Sequence, residues 1–403
     1  ESLVLLRTSN ESWEPEEEYL REVLGVVSKR WCVRIPVDEL GILTDRVLEI
    51  SGIASNPETR VVALATAVRL LSLSQDRTRI SLLIARIQSC NDLELDPYQR
   101  LHVILAEAWS SASGRGLQSA LDYLQKGLGI ARRNGYMSTI VIRLYLGEGN
   151  VLALLGRYGE ALAPLMMAAE LSTKLDNSEF VAEAFSLLAM VNARIGEHTA
   201  QMDCARKALS HQQEQSWGPS TIGATYELAM ALACTGREGE ATATIDMLTA
   251  AMHENSPAWG KQAVMLNAAD VYWVAGKNKS ALRHAGLALR IGGGLALHES
   301  LQGQFTRWST MLELCSGKAQ RALQRLSATQ SEFHRLDAKD QVELLAARGL
   351  LLGAIGEDTG EVRDAVLKRL ESLPDGIARG LTRFGFHPST WSKVGRSGRT
   401  TLP

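Results

Sequence analysis

The sequence predicts an all-α protein, a right-handed α-solenoid of about seven to eight helical hairpins. Four glycines, Gly156, Gly196, Gly236 and Gly276, recur every 40 residues. Each glycine follows one apolar stretch with helical spacing and precedes a second. Since neither helix of such a unit buries its apolar face alone, this period is typical of repeats that stack on their neighbours.

One unit is clearest between residues 138 and 176. Its first apolar stretch ends at Gly156-Arg157-Tyr158, and an alanine-rich stretch follows at 160–175. The link at 174–178 supplies Asp, Asn and Ser, which cap a following helix. The same pattern predicts helices at 187–195 and 202–209, 224–233 and 241–252, and 264–275 and 281–291. Weaker units are predicted at 61–73 and 80–87, 101–109 and 120–131, 305–314 and 322–326, and 342–355 and 362–373.

The pattern divides the chain into three regions. Residues 58–373 are predicted to form the array. Residues 1–57 fit no repeat and are interpreted as an N-terminal cap or the remnant of a preceding domain. The chain begins at Glu1 instead of Met, so we expect it to be a fragment. Residues 374–403 are interpreted as a basic C-terminal cap and linker.

The tail from residue 376 onward has five basic residues and no acidic one. Phe384, Phe386 and Trp391 interleave with these bases, which suits contact with nucleic acid or an acidic partner. The interpretation that we favour is a cap strand of the array followed by a solvated linker. The basic residues are Arg379, Arg383, Lys393, Arg396 and Arg399.

Composition and motifs argue against several functional classes. The formal net charge of -2 and the pI near 6.5 argue against a globally basic protein that binds nucleic acid or a membrane surface. No run of 18 apolar residues and no leader pattern predicts a membrane span or a signal peptide. The cysteines and histidines lack metal-ligand spacing, and no P-loop or H-E-x-x-H motif occurs. A catalytic triad can still assemble from distant positions. We expect a cytoplasmic protein that is not an enzyme and has no catalytic residues, metal or cofactor.

Small residues at fixed offsets from the turn glycines carry a family resemblance. They lie seven positions before each glycine and five or twelve positions after it. With this pattern the units resemble tetratricopeptide repeats, closely over residues 100–330 and loosely over 58–370. Small residues at such positions let paired helices approach closely. They are Gly149, Ala189, Ala229 and Ala269, then Ala161, Ala241 and Ala281, and finally Ala168, Ala208 and Ala288.

Three departures from that family pattern are visible. Gln201 and Leu248 replace alanines, and the period is 40 residues where the family has about 34. Long units of this kind resemble the sensor arrays of large bacterial regulators, such as the maltose-activator group of LuxR-type transcription factors. Those regulators carry a nucleotide-binding module and a helix-turn-helix outside the array, and neither motif occurs in this chain. The resemblance therefore implies the sensing part alone.

The resemblance also implies a concave face that is lined by the first helix of each unit. Arginine and asparagine on this face are suited to bind an anionic group or a peptide backbone, and the alternative is that they are solvated. Aromatic residues and methionine are suited to form a wall for an apolar ligand, with packing between repeats as the rival explanation. The eight candidates for ligand or peptide binding are Arg143, Asn150, Arg194, Tyr226, Met230, Asp270, Trp273 and Arg307.

Two functions fit these observations. The first is a non-catalytic array that binds a protein or another ligand as the sensor part of a bacterial signal-transduction or transcriptional regulator. The second is a constitutive scaffold that binds a partner peptide in its concave groove to assemble a complex. In both cases the expected partner is a protein, a peptide or a small-molecule effector in the groove. We expect no membrane contact, and contact with nucleic acid only through absent domains or weakly through the basic tail.

Overall fold

The computed structural model describes residues 42, 44–49, 52, 57–74, 77–89, 95–113, 116–211, 219–252, 258–292, 302–328, 338–384, 386–389 and 391. The predictions for most of residues 1–57 and for the basic residues at 393, 396 and 399 lie outside the described residues. Within the described ranges, no helix combines the length and the apolar composition that crossing a membrane requires.

Helices dominate the fold, and the described residues contain no β-strand. Helices α1 to α16 form eight consecutive pairs, each with a short connection, and α17 follows the last pair. The predicted all-α class and the predicted number of hairpins are therefore confirmed. The bounds are Pro57–Ser74 (α1), Arg77–Ser89 (α2), Pro97–Ser113 (α3), Leu117–Arg133 (α4), Thr139–Leu154 (α5), Tyr158–Lys174 (α6), Ser178–Ile195 (α7), His198–Ser210 (α8), Pro219–Cys234 (α9), Glu238–Ala250 (α10), Ala258–Val274 (α11), Asn278–Gly292 (α12), Gln302–Cys315 (α13), Ala319–Ala328 (α14), Ala338–Ile355 (α15), Gly360–Leu370 (α16) and Asp375–Arg383 (α17).

The turn glycines adopt a backbone conformation that other residues rarely adopt. Their φ angles lie between 70° and 94°, in the left-handed region that ends many helices. In one such turn the N–H of Arg237 donates to the main-chain oxygen of Leu232, at 2.8 Å. Two further glycines extend the predicted ladder of four toward the C-terminus. The six are Gly156, Gly196, Gly236, Gly276, Gly317 and Gly356.

The small residues that carry the family resemblance lie in the core. All nine alanines of the pattern are fully buried, and Gly149 is buried as well. Gln201 and Leu248, which depart from the pattern, are also buried. The pattern thus marks positions where helices approach one another closely.

The chain divides into two compact units. The first comprises residues 1–152 and 163–181, and the second comprises residues 153–162 and 182–403. In the first unit, apolar residues of α1, α2 and α3 share one core cluster. Helices α4 and α5 also approach closely there, since a Cβ atom at Gly147 would lie 2.9 Å from a methyl carbon of Leu124.

In the second unit, one core cluster extends from α8 to α16 and includes Ile245 and Leu266. The C-terminal segment, which is α17 with Phe384, Phe386 and Trp391, belongs to the same cluster. This unit therefore buries the aromatic residues that the sequence places among the bases of the tail.

The conformation of the C-terminal segment differs from the expected cap strand. Residues 375–383 form a helix, so the strand prediction is wrong there. Ile377 and Leu381 are four residues apart, which places both on one face of a helix, and both are buried. Phe386 and Trp391 are buried too, and Trp391 Nε1 donates to the main-chain oxygen of Phe386 at 2.9 Å.

Candidate ligand groove of the second unit

The first helices of successive pairs in the second unit, α7, α9, α11, α13 and α15, contact one another in order. Ser186 Oγ on α7 donates to the main-chain oxygen of Ser220 on α9, at 3.3 Å. Tyr226 on α9 donates through its hydroxyl to Asp270 Oδ2 on α11, at 3.1 Å. The side of these helices that α17 covers is named the inner face below.

A buried ion network lies at the centre of the inner face. Arg307 Nη2 donates to both carboxylate oxygens of Asp270, at 2.6 and 2.7 Å. Arg307 Nη1 donates to Glu343 at 2.8 Å, and Lys339 Nζ lies 2.8 Å from the other oxygen of Glu343. Two cations and two anions thus connect α11, α13 and α15. A buried cation needs such partners, because removal from water is otherwise very costly.

Asp270 accepts further hydrogen bonds that hold the network in one geometry. Trp308 Nε1 donates to it at 2.7 Å, and Gln304 Nε2 donates at 2.6 Å. Burial alone would raise the pKa of Glu343, but Arg307 and Lys339 outweigh it and lower that pKa to about 2. Glu343 is therefore ionised at neutral pH, as its ion pairs require.

A second polar group lies where α8 meets α9. Gln201 Nε2 donates to Glu227 Oε2 at 2.7 Å and to its main-chain oxygen at 3.0 Å. Burial raises the pKa of Glu227, and the positive charge of Arg194 opposes this rise. His198 Nδ1 is 2.9 Å from Gln201 Oε1, and its Nε2 is 3.2 Å from Arg383 Nη2. These partners fit a neutral imidazole that donates from Nδ1 and accepts at Nε2.

A cavity of about 60 Å³ lies between the inner face and α17. It is large enough for a few water molecules. Its lining combines charged groups of the network with apolar side chains. The lining residues are Ala193, Arg194, His198, Gln201, Tyr226, Glu227, Met230, Cys234, Arg307, Lys339, Glu343, Gly376, Ile377, Gly380, Arg383 and Phe384.

Six of the eight predicted binding residues lie in the second unit, close to this cavity. Two of them lie next to its lining: Asp270 is hydrogen-bonded to Arg307, and Trp273 Nε1 donates to the main-chain oxygen of Arg383 at 3.2 Å. The Trp273 ring also contacts Trp308 edge-to-face, with ring centroids 5.7 Å apart. Their role in binding stays a prediction. The four that line the cavity directly are Arg194, Tyr226, Met230 and Arg307.

The other two predicted residues, Arg143 and Asn150, belong to the first unit. Arg143 is buried, so the alternative of a solvated position does not describe it. Its guanidinium carbon lies 5.3 Å from the centre of the Phe180 ring. Burial and the charge of Arg143 together lower the pKa of His102 to about 4. Asn150 is half-buried.

Sequence reasoning missed several residues of the groove. Glu343 lies thirteen positions before Gly356, the offset that Arg143 has from Gly156, so counting from one further glycine would have found it. Gln201 was visible as a departure from alanine, but nothing local indicated its partner Glu227. The spacing of Ile377 and Leu381 is typical of an amphipathic helix. The basic composition of the tail drew the interpretation away from that helix.

Comparison with known proteins supports the fold. No protein-family model and no curated protein matches the sequence. The apo form of the quorum sensor NprR from B. thuringiensis is similar with a TM-score of 0.60 and 11% identity, over 88% of this chain and 97% of that one. NprR in complex with its cognate peptide NprX is similar with a TM-score of 0.59 and 13% identity, over 88% and 98%. A Rap protein complexed with Competence and Sporulation Factor has a TM-score of 0.55 and 16% identity, over 84% and 97%. At these identities the likeness shows the fold, and the predicted tetratricopeptide-like solenoid fold is confirmed.

Proposed function

We propose that this chain is a non-catalytic, peptide-binding repeat array, and that the inner face of the second unit is its binding surface. One observation carries the proposal: this face already holds a helical segment, α17. Grooves that bind amphipathic helices do so through apolar anchors at helical spacing. The side chains that contact α17 therefore offer the chemistry that a partner of similar pattern needs.

Three kinds of contact hold the segment. Leu381 is buried as an apolar anchor. The Phe384 ring lies 4.2 Å from the guanidinium carbon of Arg307, which is a cation–π contact. Trp273 Nε1 donates to the main-chain oxygen of Arg383, a bond that does not depend on the side chain of the bound residue. Apolar anchors and the aromatic contact select a sequence, and the main-chain bond adds affinity for any helix end in that position.

We further propose that the array is the regulatory part of a bacterial regulator and acts in the cytoplasm. Support comes from similar structures that are complexes with peptides. One is NprR in complex with its cognate peptide NprX. Another is a Rap conjugation gene regulator of the plasmid pLS20 in complex with the Phr* peptide, similar with a TM-score of 0.52 and 13% identity. The resemblance of the long units to maltose-activator sensor arrays agrees with the same role.

The competing function is a constitutive scaffold. A scaffold needs a face that is open to its partner at all times. The inner face of the second unit is instead covered by residues of the same chain. A partner of that face must move α17, so binding there is coupled to a change in the protein. This coupling favours the regulatory function.

A peptide-display selection against the full chain tests the proposal. Isothermal titration calorimetry then compares the selected peptides on the wild type and on Met230→Glu, which places a charge in the cavity. Met247→Glu is the matched control, because Met247 is 63% exposed on α10, the second helix of the same pair. We expect the affinity to fall at least about tenfold for Met230→Glu, because an apolar side chain of the bound peptide would then lie against a charge without a partner. The affinity should stay unchanged for Met247→Glu.

Two results would contradict the proposal. Equal affinity for the wild type and Met230→Glu would exclude the inner face as the binding surface. Failure to select any peptide that binds the folded chain would exclude peptide binding as the function.

A further inference from the structure

The C-terminal segment lies outside the repeat pattern but contacts four of the helix pairs. Among the helices α1 to α17, α17 is the one that falls outside the eight pairs. Arg383 lies within hydrogen-bonding distance of His198 on α8 and accepts from Trp273 on α11, and Phe384 stacks on Arg307 of α13. The segment thus spans the inner face across several hairpins, as a ligand of a repeat array does.

The start of α17 fits the inner face very closely. A Cβ atom at Gly376 would overlap the main-chain oxygen of Arg194 and lie 2.7 Å from the main-chain nitrogen of Gly196. Gly380 lies one helical turn further, and a Cβ atom there would meet nothing within 4 Å. Backbone atoms cannot move aside as a flexible side chain can. The absence of a side chain at Gly376 therefore allows α17 to reach its position.

The end of the segment is equally well accommodated. A Cβ atom at Gly349 on α15 would overlap the Trp391 ring, and Gly353 lies against the main chain of the same residue. Glycines on successive turns of α15 thus leave room for Trp391. The segment fits closely at both ends, and Ile377 and Leu381 between them are buried. We interpret this as a surface that is complementary in shape to the segment.

We infer that the C-terminal segment is a built-in competitor for the peptide-binding face. The partner that fits this face is an amphipathic helix with aliphatic residues at i and i+4, followed by an aromatic residue, and it takes the place of α17. The inference rests on the proposed function and deepens it, because it names the class of partner and the step that limits its binding.

Competition in one chain has a quantitative consequence. A tethered segment has an effective concentration on the order of millimolar. The apparent affinity for an added peptide falls by the fraction of molecules in which the face is open. Any change that weakens α17 in the chain, without touching the face, must therefore strengthen binding of the same sequence added as a separate peptide.

A labelled synthetic peptide with the sequence of residues 375–391 tests the inference. Fluorescence anisotropy measures its affinity for three full-length chains: the wild type, Gly376→Ala and Gly380→Ala. Both substitutions replace a glycine in the same helix with alanine, which favours the helical conformation. Only the first one creates a clash with the repeat backbone. The peptide itself keeps both glycines.

We expect Gly376→Ala to bind the peptide at least about tenfold more tightly than the wild type. Gly380→Ala should bind it no more tightly than the wild type, because alanine there favours the helix that competes with the peptide. A peptide with Leu381→Asp should not bind any of the chains, because Leu381 is a buried anchor. Leu381→Ser in the full chain is a second opening variant, which keeps the test valid if Gly376→Ala does not fold. Far-UV circular dichroism establishes that each chain is folded.

Equal affinity of the peptide for the wild type and for a folded opening variant would overturn the inference. The proposed function would survive that result if peptides from the display selection still bound in a way that depends on Met230. If no peptide binds a folded opening variant, both the inference and the proposed function are wrong.

Discussion

Replacement of Arg307 by methionine tests the ion network that connects three repeats. The side chain is buried and makes two hydrogen bonds to Asp270 and one to Glu343. Methionine fills a similar volume but donates no hydrogen bond. The substitution therefore leaves two carboxylates in a buried place with one cation fewer.

The expected loss of stability follows from the partners that remain. Breaking a buried ion pair from one side costs about 3–5 kcal/mol. Asp270 keeps its bonds from Trp308, Gln304 and Tyr226, and Glu343 keeps Lys339. These donors compensate part of the lost charge, so we expect the low end of the range, about 3 kcal/mol.

Urea unfolding of the variant, followed by far-UV circular dichroism and tryptophan fluorescence, measures this loss. Arg325→Met is the matched control, because the Arg325 side chain is 41% exposed and pairs with Glu313 near the surface. We expect the control to lose less than about 1 kcal/mol. A triple variant with Asp270→Asn, Arg307→Met and Glu343→Gln should recover at least half of the single variant's loss, since it removes the uncompensated charges together.

A loss below about 1 kcal/mol for Arg307→Met, no larger than that of the surface control, would refute the reasoning. A triple variant as unstable as the single one would refute it as well, because the damage would then come from packing and not from unpaired charge.

Two further predictions concern the turns and the pH dependence. Gly236→Ala should lower the free energy of unfolding by about 1 kcal/mol, since φ is 80° there. Gly239→Ala, at the start of α10 with open space around the new methyl group, should leave it unchanged or raise it in the same urea titration; equal losses for the two would contradict the turn argument. The lowered pKa of His102 predicts a stabilisation that is complete above pH 6.5 and is lost as the pH falls toward 4, because the folded unit must then bind a proton that it disfavours. Thermal unfolding at pH 7 and pH 5 should therefore differ less for His102→Gln than for the wild type, and an identical difference would contradict the prediction.

The sequence predicts the local features of the fold well, because they depend on residues close together in the chain. A left-handed turn requires glycine, so Gly156 to Gly276 could be identified as turns. Close helix packing requires small side chains, so the alanines at fixed offsets could be placed in the core. Counting back from Gly317 also placed Arg307 on the first helix of its pair.

The groove itself could not be predicted from these local patterns. Asp270, Arg307 and Glu343 are each more than 35 residues apart, and a repeat period does not indicate which polar residues of successive helices pair. The position of α17 was harder still, because it lies outside the repeat and its site is fixed by tertiary contacts such as that of Gly376 with α7. Basic residues around the aromatic ones made the tail look like a surface segment.

Hydrogen-exchange mass spectrometry of the wild-type chain, with and without a saturating display-selected peptide, tests the central claim most directly. The claim is that the partner and the C-terminal segment use the same face. We predict that the amides of residues 375–391 exchange faster when the peptide is bound, because α17 leaves its site, while α9 and α11 remain protected. Unchanged exchange of residues 375–391 in the peptide complex would contradict the claim.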